Sequence, residues 1–248
     1  MIPYEKCIEI IDDCADMGVQ ALQYTGGGEP TVHPKHKEIF QYTIDKGLDL
    51  ALVTNGTIMR KGVPEILAQG KWVVIGVGFV VTKENWREIY DAVEIYSKLG
   101  VDNVRISAVF TPEDFHYHRE HFKEAKELTR LAKKDFETKD FLVFDLFGDR
   151  ILDLQQHRPD YEFCSYMHLN TYIGGDLKVY NCCNNAYNDH GDMGSLEDQR
   201  FIDYWTSSEK IKKYAKFKAN SCERCMFNTK NRFINYMIES NPLHVNYI

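Results

Sequence analysis

The stretch Tyr24-Thr25-Gly26-Gly27-Gly28-Glu29-Pro30 places three glycines, an acid and a proline where an apolar segment, Val19 to Thr25, ends. Glycine lets a backbone come closer to a ligand than any side chain permits. A carboxylate beside it suits an ammonium group, and Pro30 keeps a strand from running on. A plain glycine-rich turn has the same composition, so the loop has to be weighed with the rest of the chain.

The second chemical grouping is sulfur. Five of the seven cysteines lie late in the chain: Cys164, Cys182, Cys183, Cys222 and Cys225. Cys222-Glu-Arg-Cys225 is a CxxC knuckle able to put two thiolates on one metal centre. Cys164 and Cys182 flank a hairpin-like piece and can bring two more, with Cys183 an alternative to Cys182. Four thiolates suit either zinc or an iron–sulfur cluster. Unliganded core thiols are the bland alternative. They are the better reading for Cys7 and Cys14, whose spacing puts both near the apolar face of the first helix.

Other candidates are weaker. His116, His118 and His121 read as a solvated face at the start of a charged helix, and His33 and His36 as incidental loop residues. Tyr24, Phe79 and Tyr90 read as core. Lys210, Lys212, Lys213, Lys216 and Lys218 read as a solvated helix face rather than an anion site.

The elements that must position these groups alternate. Tyr4, Cys7, Ile8, Ile11 and Ala15 share a helix face that Gly18 ends, and 21–25 reads as a strand. Helix is expected over 35–46, strand over 48–54, helix over 61–69 and a long buried strand from Trp72 to Thr82. Helix follows from Asn85 to Leu99, then strand from Val101 to Phe110. Thr111-Pro112-Glu113-Asp114 has the composition of a helix start. A further helix is expected from Leu196 after a Ser195 cap. Alternating strands and helices imply a parallel sheet with right-handed crossovers, hence an open or closed β/α barrel. The character changes near Arg150, giving expected domains at 1–150 and 151–248. The second includes the hairpin-like Tyr172-Ile-Gly-Gly-Asp-Leu-Lys-Val-Tyr180.

Composition narrows the class. A net charge of −7 and a pI near 5.7 argue against a general nucleic-acid surface. The longest apolar run, Val73 to Val81, is far too short to span a bilayer, so no membrane partner is expected. With neither a signal nor a transit peptide at its start, the chain reads as cytoplasmic. Cysteines in that compartment point to metal or redox chemistry rather than disulfides.

Gly27-Gly28-Glu29-Pro30 after a strand, Val53-Thr54-Asn55-Gly56 ending the next, and a four-cysteine module together resemble the radical S-adenosylmethionine (radical SAM) superfamily. The likeness is to members with a SPASM or Twitch auxiliary-cluster domain. It implies an α/β fold: a partial (β/α) TIM-like barrel with a small C-terminal cysteine-rich α+β module. It implies that Gly27, Gly28 and Glu29 anchor the methionine amino end of S-adenosylmethionine, that Thr54 and Asn55 face the same pocket, and that Gly26, Pro30 and Ser107 are also cofactor-binding. Cys164, Cys182, Cys222 and Cys225 fall at spacings similar to those of a Twitch domain, which implies one auxiliary 4Fe–4S cluster. The implied partners are a small-molecule or peptide substrate and an electron donor such as a flavodoxin or ferredoxin.

The chain departs from the family in three places. No cysteines have the CxxxCxxC spacing that binds the catalytic 4Fe–4S cluster, so these residues alone are not expected to cleave the cofactor. A second gap is expected near Trp72-Val73, as though two ends had been joined, and the sequence is expected to be part of a longer protein. Leu177 stands where SPASM and Twitch hairpins usually have glycine.

Overall fold

The computed structural model describes residues 1–25, 27–54, 76–109, 111, 114, 116–148 and 158–239. The chain forms two compact units, each built from two separated stretches. The first unit combines Met1–Trp72 with Phe163–Lys218, and the second combines Val73–Glu162 with Ala219–Ile248.

In the first unit, α1 (Tyr4–Asp16) and α2 (His36–Asp45) alternate with the parallel strands β1 (Ala21–Tyr24) and β2 (Asp49–Leu52). Both helices end in a Schellman motif. Val19 N–H reaches Cys14 O at 2.9 Å after Gly18, and Leu48 N–H reaches Thr43 O at 3.3 Å after Gly47. Both glycines have the positive φ this motif requires. The turns redirect the chain into β1 and β2, whose register pairs Ala21 with Asp49 and Tyr24 with Leu52. Both carboxyl ends therefore lie side by side, where parallel strands carry ligand loops.

The same unit receives α5 (Tyr166–Leu169) and an antiparallel sheet of β6 (Tyr172–Ile173), β7 (Lys178–Tyr180) and β8 (Asp192–Ser195). It ends with α6 (Phe201–Thr206) and α7 (Ser208–Lys216). Ile10, Ile11 and Cys14 of α1 and Phe40 of α2 bury against Met167, Val179, Met193, Leu196, Phe201 and Tyr204. Asp13 is fully buried. Its carboxylate accepts from the Arg200 guanidinium and, at 3.2 Å, from Ile202 N–H. A buried charge of this kind is tolerable because it is paired and hydrogen-bonded.

The second unit holds the parallel sheet β3 (Gly76–Val81), β4 (Asn103–Ala108) and β5 (Leu142–Asp145), with β4 central. Helices α3 (Ile89–Lys98) and α4 (Phe122–Phe136) are the crossovers, and α8 (Asn228–Glu239) closes the stretch. Val81, Val104, Ile106 and Val143 from the sheet pack with Ile89 and Val93 of α3 and Ala125 and Ala132 of α4. The fold is thus mixed α/β with parallel sheets.

Three expectations need correction. The helix expected at Thr111 begins instead at Phe122, after turns over 116–121. The Thr111 hydroxyl donates to Asp114 O at 2.9 Å, which is the reverse of a cap. Ser195 ends β8 and accepts from Glu197 N–H at 3.1 Å, so the next helix starts at Phe201 rather than Leu196. His118 and His121 are 5% and 4% exposed rather than solvated, with His118 Nδ1 2.9 Å from His121 Nε2. The expected helix over 61–69 and the Trp72–Ile75 part of the long strand lie outside the described residues.

Candidate functional site

The loop after β1 is organised by one carboxylate. Glu29 Oε1 accepts from Thr31 N–H at 3.0 Å and from the Thr31 hydroxyl at 2.7 Å. It also accepts from the Thr54 hydroxyl at 2.7 Å. Glu29 thereby caps the short 3-10 turn Pro30–Val32 and ties the β1 loop to the carboxyl end of β2. Pro30 at the first turn position donates nothing and has the φ that position needs. Thr54 gained its place from the chain register, since Val53 N–H bonds Tyr24 O at 2.9 Å.

Gly27 has φ +89°, a conformation that L side chains rarely adopt. A Cβ there would strike the Tyr187 hydroxyl and come within 3.0 Å of the Tyr172 hydroxyl. Among the described residues nothing lies within 4 Å of such an atom at Gly28, so on that side they leave the backbone open to an approaching ligand. Among the residues expected at the cofactor pocket, Gly27, Gly28, Glu29, Pro30 and Thr54 are therefore brought together. Gly26 and Asn55 lie outside the described residues. Ser107 belongs to the other unit, on β4, where it pairs in register with Val80.

The hairpin that follows β6 carries the Leu177 departure. Gly174 N–H bonds Lys178 O at 2.9 Å and Leu177 N–H bonds Gly174 O at 3.0 Å. Leu177 itself sits at φ +62°. A turn followed by a left-handed residue is the three-residue hairpin that normally takes glycine at this position.

The cysteines divide between the units. Cys164 and Cys182 belong to the first, at the two approaches to the hairpin; Cys222 and Cys225 belong to the second. Cys164, Cys182 and Cys183 all lie near Tyr166. Its phenol is raised chiefly by burial and further by these three sulfurs. In the other unit Cys225 Sγ accepts from Phe227 N–H at 3.3 Å and Asn231 Nδ2 at 3.8 Å. The Tyr161 hydroxyl lies 3.4 Å from it and also donates to Asn228 Oδ1 at 2.9 Å. Hydrogen bonds onto sulfur are the surroundings that metal-bound thiolates keep. Within neither unit do three or more His, Cys, Asp or Glu side chains gather into a metal site among the described residues. Cys7 and Cys14 behave as core thiols, both pushed up to about 11 by burial.

Remaining candidates resolve locally. His33 Nδ1 accepts from Lys35 N–H at 3.0 Å, which leaves Nε2 to donate to Ile2 O at 3.1 Å. His36 is buried, with Nδ1 2.6 Å from His33 O. Tyr24 packs at a tilt against Phe40, ring centroids 5.0 Å apart, and its hydroxyl lies 2.6 Å from that of Thr43. Lys210 lies over Trp205 and Tyr214, at 3.9 and 4.4 Å, while its neighbouring lysines are exposed. Sequence reasoning missed Tyr172 and Tyr187, which wall the glycine loop. Nothing in their spacing signals that contact.

No family model matches the chain. A tungsten-containing aldehyde ferredoxin oxidoreductase cofactor-modifying protein of Pyrococcus furiosus is 26% identical over 267 residues. That match spans 82% of this chain and 72% of the relative. The antilisterial bacteriocin subtilosin biosynthesis protein AlbA of Bacillus subtilis is 36% identical over 91 residues, 37% of this chain and 20% of AlbA. Among solved structures, Streptococcus suis SuiB bound to S-adenosylmethionine has a TM-score of 0.60 at 14% identity. The match covers 84% of this chain and 59% of SuiB. SuiB bound to the precursor peptide SuiA gives 0.50 at 16%, over 87% of this chain and 60% of SuiB. The chain thus spans about three-fifths of SuiB and one-fifth of AlbA, and shares the SuiB fold. Among the described residues no helix is long and apolar enough to cross a membrane.

Proposed function

We propose that this chain, a member of the radical S-adenosylmethionine superfamily, carries the cofactor-positioning loop and an auxiliary-cluster module of an enzyme that modifies a peptide. The observation that carries the reading is the Gly27–Glu29 loop, open at Gly28, with its carboxylate fixed to Thr54 across two parallel strands. Those residues fit an amino-acid ligand: an open backbone at Gly28 among the described residues, beside a carboxylate fixed in place at the carboxyl end of a parallel strand. Gly26, Pro30 and Asn55 belong to the same proposed pocket, and Ser107 is proposed as a further contact. In this reading 1–150 is a partial (β/α) TIM-like barrel and 151–248 a SPASM/Twitch-like domain.

Cys164, Cys182, Cys222 and Cys225 are proposed as ligands of one auxiliary 4Fe–4S cluster. The hydrogen bonds that Cys225 Sγ accepts from Phe227 N–H and Asn231 Nδ2 are of the kind that surround a metal-bound sulfur. When bound, S-adenosylmethionine and a reduced catalytic cluster supply hydrogen-atom abstraction from the substrate, and the protein contributes binding, orientation and exclusion of water. The residues of this chain would hold the cofactor's amino end, align it and keep the loop from rearranging. A peptide substrate is favoured because SuiB is solved with a precursor peptide and AlbA takes part in bacteriocin biosynthesis. A flavodoxin or ferredoxin would deliver the electron in the cytoplasm.

Anaerobic purification with iron and sulfide analysis, paired with equilibrium dialysis against S-adenosylmethionine, tests the proposal. Four irons and four sulfides per chain together with saturable binding are expected. Zinc without iron, or no binding, would refute it.

A further inference from the structure

Tyr187 is a bulky residue, 51% exposed, in the left-handed region with φ 59°. Side chains there are strained, and such strain persists only where neighbours over-determine the conformation. Here three glycines surround the ring. Its hydroxyl accepts from Gly175 N–H at 3.0 Å. A Cβ on Gly174 would lie 3.3 Å from its Cε1, and one on Gly27 would lie 3.0 Å from its Cε2. Tyr172 adds a second phenol, hydrogen-bonded to Tyr187; its own proton is held more tightly, first by burial and then by that bond. Tyr180 completes the group, with ring centroids 5.6 Å from Tyr187 and its hydroxyl 2.5 Å from Asp176 Oδ2. One ring therefore fills a slot between the hairpin turn and the glycine loop. The space it takes, together with the positive φ of Gly27, disfavours any larger residue at 27.

We infer that Tyr187 is a positioning residue for the Gly27–Gly28 loop. Its hydroxyl is fixed on the hairpin turn and its ring edge is the wall against which the loop is shaped. This rests on the reading that the loop takes the amino-acid end of S-adenosylmethionine. Tyr187 is not proposed to touch the reacting atoms. It acts through Gly27, and its consequence is the affinity and rigidity of the loop. The chain between β7 and Tyr187 also carries Cys182 and Cys183, so the clamp makes the glycine loop and the cysteine segment parts of one packed unit.

The test compares the full chain with Tyr187→Phe, which removes the hydroxyl, and Tyr187→Gly, which removes the ring and relieves the backbone. The first measurement is amide hydrogen exchange over 27–32, with α2 as internal control. In Tyr187→Phe, exchange in that segment should rise about 3- to 10-fold, the size expected for one lost hydrogen bond, and further in Tyr187→Gly. Dissociation constants for S-adenosylmethionine and for 5′-methylthioadenosine, which lacks the amino-acid end, form the second. The first should weaken by a similar factor in Tyr187→Phe while the second is unchanged. Unaltered exchange in both variants would overturn the inference, as would equal losses for the two nucleosides, which mark a general structural defect. Failure of the unmodified protein to bind S-adenosylmethionine would refute the functional reading instead, and the exchange comparison would still decide the clamp.

Discussion

Replacing Leu177 by glycine should stabilise the protein. Leu177 occupies φ +62°, where an L residue costs about 1–2 kcal/mol and glycine costs nothing sterically. Against that gain stands the larger entropy that glycine loses on folding, about 0.5–1 kcal/mol. The side chain is half-buried and outside the core formed by Met167, Val179 and Tyr204, so its truncation sacrifices little packing. The backbone bonds of the turn, from Gly174 to Lys178 and from Leu196 N–H to Leu177 O, are untouched by the change. The balance is a gain of about 0.5–1 kcal/mol, or roughly 1–4 °C in Tm for a chain of this length. Leu177→Ala keeps the unfavourable backbone and loses side chain, so it should be neutral or destabilising. Urea unfolding followed by fluorescence, with unchanged m-values, measures both variants. A Leu177→Gly midpoint below that of the parent, or below that of Leu177→Ala, would refute the assignment of strain to this residue.

Gly27→Ala combines a positive φ with a collision against Tyr187, so it should destabilise by about 1–3 kcal/mol and abolish S-adenosylmethionine binding. Denaturation midpoints and equilibrium dialysis report the two effects separately. His118 and His121 are both held below the ordinary histidine range, chiefly by burial. The unfolded chain therefore takes up protons first as pH falls below about 6.5, and stability should decline from there toward the lowered native values. Above about pH 7 this contribution is flat, and a His118→Gln/His121→Phe variant should show a shallower loss of urea midpoint between pH 7.5 and 5.5. Cys225→Ser should leave the anaerobically reconstituted protein with clearly fewer irons per chain, read by iron analysis and visible absorption. Undiminished iron would remove Cys225 from the ligand set.

Much of this arrangement was legible because local rules govern it. The Schellman glycines at 18 and 47, the strand at 21–24 and the amphipathic α1 follow from spacing and turn chemistry alone. The loop was legible too, since Gly27, Gly28, Glu29 and Pro30 are contiguous and Thr54 lies just past the adjacent strand. What escaped was non-local. His118 and His121 read as solvated because their sequence neighbours are charged, yet packing with Phe147 and Trp86 buries them. Tyr187 meets Gly27 across 160 residues, and no periodicity encodes that distance. Thr111 and Ser195 had the composition of caps, but their hydroxyls bond elsewhere, the usual competition that makes such residues ambiguous.

The interleaving of the two units has a consequence for how the chain is made. Asp13 finds its partner Arg200 only 187 residues later. At ordinary synthesis rates α1 waits on the order of ten seconds before that partner exists. During that interval α1, β1, α2 and β2 lack the hairpin sheet and the late helices that share their core. The second unit has already begun by then, so its sheet is synthesised while the first is still unfinished. Long-range closure of this kind slows folding and exposes apolar surface. Translation pauses before the Arg200–Phe201 segment is available should therefore lower the yield of folded protein more than later pauses.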